Sequence, residues 1–112
     1  MIRLEILRQK PHLFRSLTGI TIEQFEVLFA KLLPIWEQQE RKRLTRPNRQ
    51  RAIGAGRKYR LSIPDMLLMT LIWLRQYWNT EALGFFFGLD KSTVSRNTRR
   101  MLKALQKIGI QS

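Results

Sequence analysis

TEALGFFFGLDKSTVSRNTRRMLKALQK, residues 80–107, is the stretch whose reading decides the fold. It reads as a short helix, a tight turn and a longer basic helix. Gly84, Gly88 and Val94 are spaced as two short helices need if they cross closely and share a small core. Gly88 supplies a left-handed corner, Asp90 is a good N-cap, and Leu89 is placed to staple onto Val94 at the fourth helical position. From Val94 the apolar side chains recur at Met101, Leu102 and Leu105, with Thr98 completing the stripe, which is the period of one buried helix face. Asn97 interrupts that pattern and is expected to rotate the helix slightly toward Thr98 and Met101. The opposite face carries Lys91, Ser92, Thr93, Ser95, Arg96, Arg99, Arg100 and Lys103, and no carboxylate follows Asp90. Such a pair of helices is a helix-turn-helix, whose second helix is built to lie in the major groove of DNA.

Immediately upstream, Ser62 opens a helix with a capping box to Asp65, a staple between Leu61 and Met66, and Pro64 in the first turn, where it is tolerated. Residues 66–74 are apolar nearly all round, which places this helix at the centre of a domain. Tyr77, Trp78 and Asn79 are read as the connecting turn and Thr80 as the next N-cap. The three helices together predict a trihelical unit over 62–112.

Residues 41–60, RKRLTRPNRQRAIGAGRKYR, hold nine basic side chains and no acidic one. Pro47, Asn48, Gly54 and Gly56 are turn formers, so a basic Gly/Pro-containing loop is expected over 45–61. Composition alone fits a solvated linker equally well. Beside a helix-turn-helix, Arg49, Arg51, Arg57, Lys58 and Arg60 become candidates for a DNA-backbone arm. Gly54-Ala55-Gly56 lacks both the G-K-S/T ending of a P-loop and the third glycine of a dinucleotide fingerprint.

Residues 1–44 are expected to form an N-terminal helical region. Thr21 opens a well-specified helix, with Gln24 closing a capping box and Ile20 positioned to staple onto Phe25. Phe25, Leu28, Phe29, Leu32 and Trp36 fall on one stripe, Pro34 predicts a kink or restart near Leu33, and the polar stretch after Trp36 is expected to fray by Leu44. Before it, Ile2, Ile6, Leu7, Leu13, Phe14 and Leu17 predict a short helix, a break at Pro11 and a further helical turn. The fold class is therefore all-α, a small helical domain ending in a trihelical helix-turn-helix unit, with a basic loop between two helical halves.

Composition sets limits on function. The 112 residues fit one domain able to bury roughly two-thirds of its unfolded surface. There is no cysteine and a single histidine, His12, so neither a thiolate nor a multi-histidine metal site is available, and no metal or other cofactor is expected. The net charge of +13 and pI near 11.5 point to a polyanion as partner, and arginine, which outnumbers lysine, suits bidentate contacts to phosphate or guanine. A ribosomal or generally adhesive basic protein would share that charge. The longest apolar run, 66–74, is about half of a bilayer span, and the first ten residues have no apolar export signal.

Five segments, in order, resemble a known family: Leu17-Thr18-Gly19, then residues 51–58 (RAIGAGRK), 65–77 (DMLLMTLIWLRQY), 83–89 (LGFFFGL) and 92–96 (STVSR). The sequence is similar to the N-terminal helix-turn-helix domain of DDE-superfamily transposases of bacterial insertion sequences, in the group named after insertion sequence five. The resemblance implies sequence-specific binding of double-stranded DNA at the element's terminal inverted repeats, in a bacterial cytoplasm and nucleoid-associated when bound. It also implies a catalytic domain that uses three carboxylates and two metal ions. Here the eight carboxylates form no such constellation, Asp65, Glu81 and Asp90 being suited to helix starts, so the chain is read as a non-enzyme. A homodimer or a separate catalytic chain is the expected protein partner. Rival readings are a free-standing transcriptional regulator using the same helix and an assembly module pairing through the Phe25–Trp36 stripe; RNA binding has no module signature to support it.

Overall fold

A computed structural model describes residues 1–44 and 61–109. Among them are six helices and no strand: α1 (Leu4–Leu7), α2 (Pro11–Thr18), α3 (Ile22–Leu44), α4 (Ile63–Gln76), α5 (Thr80–Phe87) and α6 (Lys91–Ile108). The all-α expectation holds. The residues expected to form the DNA-backbone arm, Arg49, Arg51, Arg57, Lys58 and Arg60, lie outside the described residues.

The centre is α4. Every residue from Met66 to Ile72 is buried, and each fully buried Leu, Ile or Met contributes about 1.5–3 kcal/mol of transfer free energy. Thr70, inside that run, satisfies its hydroxyl by donating to the Met66 carbonyl at 2.9 Å. The start of α4 departs in detail from a capping box. Ser62 Oγ accepts from Asp65 N (3.3 Å) and donates to Asp65 Oδ2 (2.9 Å), but the other carboxylate oxygen turns away to accept the backbone N–H of Leu4 at 2.7 Å. Asp65 thus ties the first helix of the chain to the central one.

Around α4 the remaining helices contribute to one core: Leu4 and Leu7 from α1, Phe14 from α2, Phe25, Leu32 and Trp36 from α3, Leu83 and Phe87 from α5, and Val94, Met101, Ala104 and Leu105 from α6. The Phe14 and Phe25 rings meet edge-on at 5.5 Å. The Phe25–Trp36 stripe is therefore spent inside the molecule, with Leu28 and Phe29 partly covered at its margin. Ile6 and Leu13, expected among the apolar positions, are instead exposed.

Helix α3 starts as the sequence specifies, with Thr21 N donating to Gln24 Oε1 (2.9 Å) and Gln24 N to Thr21 Oγ1 (3.1 Å). It does not restart at Pro34. Pro34 and Ala30, the residue whose carbonyl loses its helical donor, are both exposed, so the vacated acceptor lies on the solvent side of the helix while Leu32 and Trp36 hold the opposite side to the core. The described helix runs to Leu44, the expected limit, and within its polar end Gln39 and Glu40 are buried against α6.

Candidate nucleic-acid interface

The candidate site is built by the tight junction of α5 and α6. Helix α5 ends at Gly88, φ +73°, the left-handed corner read from the sequence. Leu89 N donates to the Gly84 carbonyl at 2.8 Å, and the Leu89 carbonyl comes so near Gly84 that a Cβ there would lie 2.4 Å from it. Asp90 then caps α6, its Oδ1 accepting from Thr93 N at 3.1 Å. At the other end of α5 the cap is Asn79, whose Oδ1 accepts from Ala82 N at 2.7 Å; Thr80, the expected cap, is the first helical residue. Both residues can cap, and Asn79 holds the extended backbone that the position requires.

The N-terminal residues brace the same junction. Ile2 N donates to the Phe86 carbonyl (2.8 Å), and Arg3 Nη2 donates to the Phe87 carbonyl (2.9 Å), satisfying acceptors at the end of α5 that its own helix cannot reach. This brace has no local sequence signal, because its partners are more than eighty positions apart.

In α6 the buried face is Val94, Asn97, Thr98, Met101, Ala104 and Leu105. Asn97 belongs to that face, so the expected rotation away from it does not occur; its amide oxygen accepts from Arg100 Nη2 at 3.0 Å. Thr98 donates to the Val94 carbonyl at 2.8 Å. Lys91, Ser92, Arg96, Arg99 and Lys103 are exposed, and Thr93 and Ser95 are half-buried on the two flanks of the helix. Two long contacts order this surface, Arg96 Nη2 to Thr93 Oγ1 and Arg99 Nη2 to Ser95 Oγ, both 3.4 Å. At about 100° per residue, Arg96, Arg99 and Lys103 point away from the core together. Gln106 and Lys107, which the sequence reading left out, are exposed on the continuation of the same face. Arg100 does not join it: its side chain is 23 % exposed and turned toward α3, where Glu40 lies.

Charge is distributed unevenly along the chain. Residues 1–40 hold five basic and five acidic side chains, so the whole net charge of +13 belongs to residues 41–112. Nine of those charges fall in residues 41–60 and a net four in residues 61–112, which carry α4 to α6.

Among the described residues no group of three or more His, Asp or Glu side chains is placed to hold a metal ion. Likewise no described helix is long and apolar enough to cross a membrane. No match was found among curated proteins or among solved structures. Residues 59–109, which take in α4, α5 and α6 whole, match the family model described as the helix-turn-helix of DDE superfamily endonuclease, and that segment is similar to the transposase helix-turn-helix domain.

Proposed function

We propose that the chain binds double-stranded DNA sequence-specifically through α6, as the transposon-end recognition domain of an insertion-sequence transposase. In this reading the group is that of insertion sequence five, the targets are terminal inverted repeats, and the site of action is the nucleoid in a bacterial cytoplasm. The observation that carries the reading is the exposed, carboxylate-free face of α6 inside a segment matching a DDE endonuclease helix-turn-helix. The N-terminal half of α6 enters the major groove, with Thr93, Ser95 and Arg96 toward base edges and Lys91 and Ser92 beside the flanking phosphates. Arg99 and Lys103, further along the exposed face, grip the backbone, as do Arg49, Arg51, Arg57, Lys58 and Arg60. Phosphate contacts fix register and orientation, and base contacts carry the sequence information. Catalysis belongs to a separate domain or chain.

The test is selection of a duplex from a random-sequence library, followed by fluorescence anisotropy on the selected and shuffled duplexes. Arg96→Ala is expected to cost about 1–3 kcal/mol on the selected duplex and to relax its sequence preference. Unchanged affinity for both duplexes would place the reading face elsewhere. Light scattering of the free chain addresses the regulator: a dimer that selects paired half-sites favours it, and a monomer that selects a single site favours the transposon end.

A further inference from the structure

The end of α3 meets the middle of α6 through a polar cluster that the helix-turn-helix alone does not explain. Glu40 is only 5 % exposed. Its carboxylate accepts three hydrogen bonds from Arg43, at 2.8, 3.2 and 3.3 Å, and faces Arg100 Nη1 at 3.9 Å. Arg100 also donates from Nη2 to Asn97 Oδ1 (3.0 Å) and from Nε to the Arg96 carbonyl (3.4 Å). Next to Glu40, Gln39 Nε2 donates to the Arg100 carbonyl at 2.9 Å. All three guanidinium nitrogens of Arg100 thus have partners within the protein, and a buried carboxylate is tolerable only while such partners stay in place.

The bonds from α3 reach α6 at Arg100, one position beyond Arg99 and four beyond Arg96, while those from Arg100 to Asn97 and to the Arg96 carbonyl lie within α6. A rotation of α6 by about 20° would move groups at its outer radius of about 6 Å by about 2 Å, well beyond the roughly 0.5 Å within which a recognition group must be held. We propose that Gln39, Glu40 and Arg100 form an interhelical lock that sets the rotation at which α6 presents Arg96 to base edges. Arg100 is then a positioning residue and not a phosphate contact, and the sequence-reading unit extends into α3, outside the 59–109 segment. The proposal rests on the DNA-binding reading above and deepens it.

Salt dependence separates the two roles, because each phosphate contact contributes about 0.9 to the slope of log K against log salt concentration. The whole chain and its Arg100→Ala, Glu40→Gln and Arg99→Ala variants are titrated onto the library-selected duplex and a shuffled duplex of the same composition across a sodium chloride series. The lock predicts that Arg100→Ala and Glu40→Gln each lower the selected-to-shuffled affinity ratio about tenfold while leaving the slope on the shuffled duplex unchanged. Arg99→Ala lowers that slope by about 0.9 and keeps the ratio. A slope reduced by about 0.9 in Arg100→Ala with the ratio preserved would make Arg100 a phosphate contact and overturn the lock; so would both variants matching the wild type. Glu40→Gln keeps the size of the side chain while removing its charge and one of its two acceptor oxygens, so it reports even if Arg100→Ala folds poorly. If the wild-type chain shows no duplex preference, the DNA reading fails by itself. The lock is then judged from thermal melts of the two single variants and the double variant, where non-additive losses support it and additive losses refute it.

Discussion

Gly84→Ala pits local helix preference against a tertiary contact, and the structure decides the sign. In a helix interior, alanine is favoured over glycine by about 0.8–1.0 kcal/mol, so local preference alone predicts stabilisation. The added Cβ, however, would lie 2.4 Å from the Leu89 carbonyl oxygen, with the Val94 side chain at 3.6 Å. The obstacle is backbone, which cannot step aside by changing rotamer. Moving the Leu89 peptide stretches the 2.8 Å hydrogen bond from Leu89 N to the Gly84 carbonyl, worth about 1 kcal/mol. It also disturbs Leu89 and Val94, both buried, at an overpacking cost of about 1–3 kcal/mol. Together these outweigh the propensity gain, leaving a net loss of about 1–3 kcal/mol. For a domain of this size that is a fall in Tm of about 4–12 °C, read by circular dichroism at 222 nm and checked against the urea midpoint. A Tm raised by the substitution would refute the close crossing of α5 and α6.

Three further substitutions test other parts of the framework. Asp90→Ala removes the acceptor for Thr93 N and should cost about 1 kcal/mol, seen as a lower urea midpoint at unchanged m-value. Tyr77 is the one non-glycine residue with positive φ among those described, at +59°, and its side chain is largely exposed; Tyr77→Gly should therefore stabilise the chain by about 0.5–1 kcal/mol, and a lower Tm would mean that the ring contributes more than the strain costs. Asp65→Ala keeps the backbone N–H bond to Ser62 Oγ but loses the carboxylate that accepts from Ser62 Oγ and from Leu4 N, so a loss of about 2 kcal/mol is expected together with faster hydrogen exchange at the Leu4 amide; a Leu4 amide exchanging as in the wild type would show that the brace to α4 is not formed in solution.

What could be read without coordinates was whatever depends on neighbours in sequence. Thr21 with Gln24, Gly88 and Asp90 are signals complete within four residues, and each occupies its expected place. The apolar run in α4 needed only its own composition. What sequence does not show is what a distant partner decides. Nothing near the polar end of α3 in sequence shows that α6 covers Gln39 and Glu40, since Gln39 bonds to the Arg100 carbonyl 61 positions on. Arg100 shares the charge and helix of Arg96 and Arg99, and only the packing of α3 shows its side chain beside Glu40. Pro34 marks a break by local rules, and only its exposure shows why the helix continues. Asn79 and Thr80 are adjacent residues that can both cap, Asn the better of the two, and the extended backbone at Asn79 settles which one does. The expected arm, Arg49 to Arg60, lies outside the described residues.

The brace between the start of the chain and the end of α5 also has a consequence in time. Ile2, Arg3 and Leu4 leave the ribosome before their partners Phe86, Phe87 and Asp65 have been joined to the chain. At translation speeds of about 5–20 residues per second, the 84-residue separation between Arg3 and Phe87 corresponds to about 4–17 s during which the first residues cannot reach their native acceptors. Helix α3 contains its own capping signals and is free to form during that wait, whereas the junction that aims α6 can close only after synthesis has passed it. The orientation of α6 is thus acquired later in synthesis than the fold of α3.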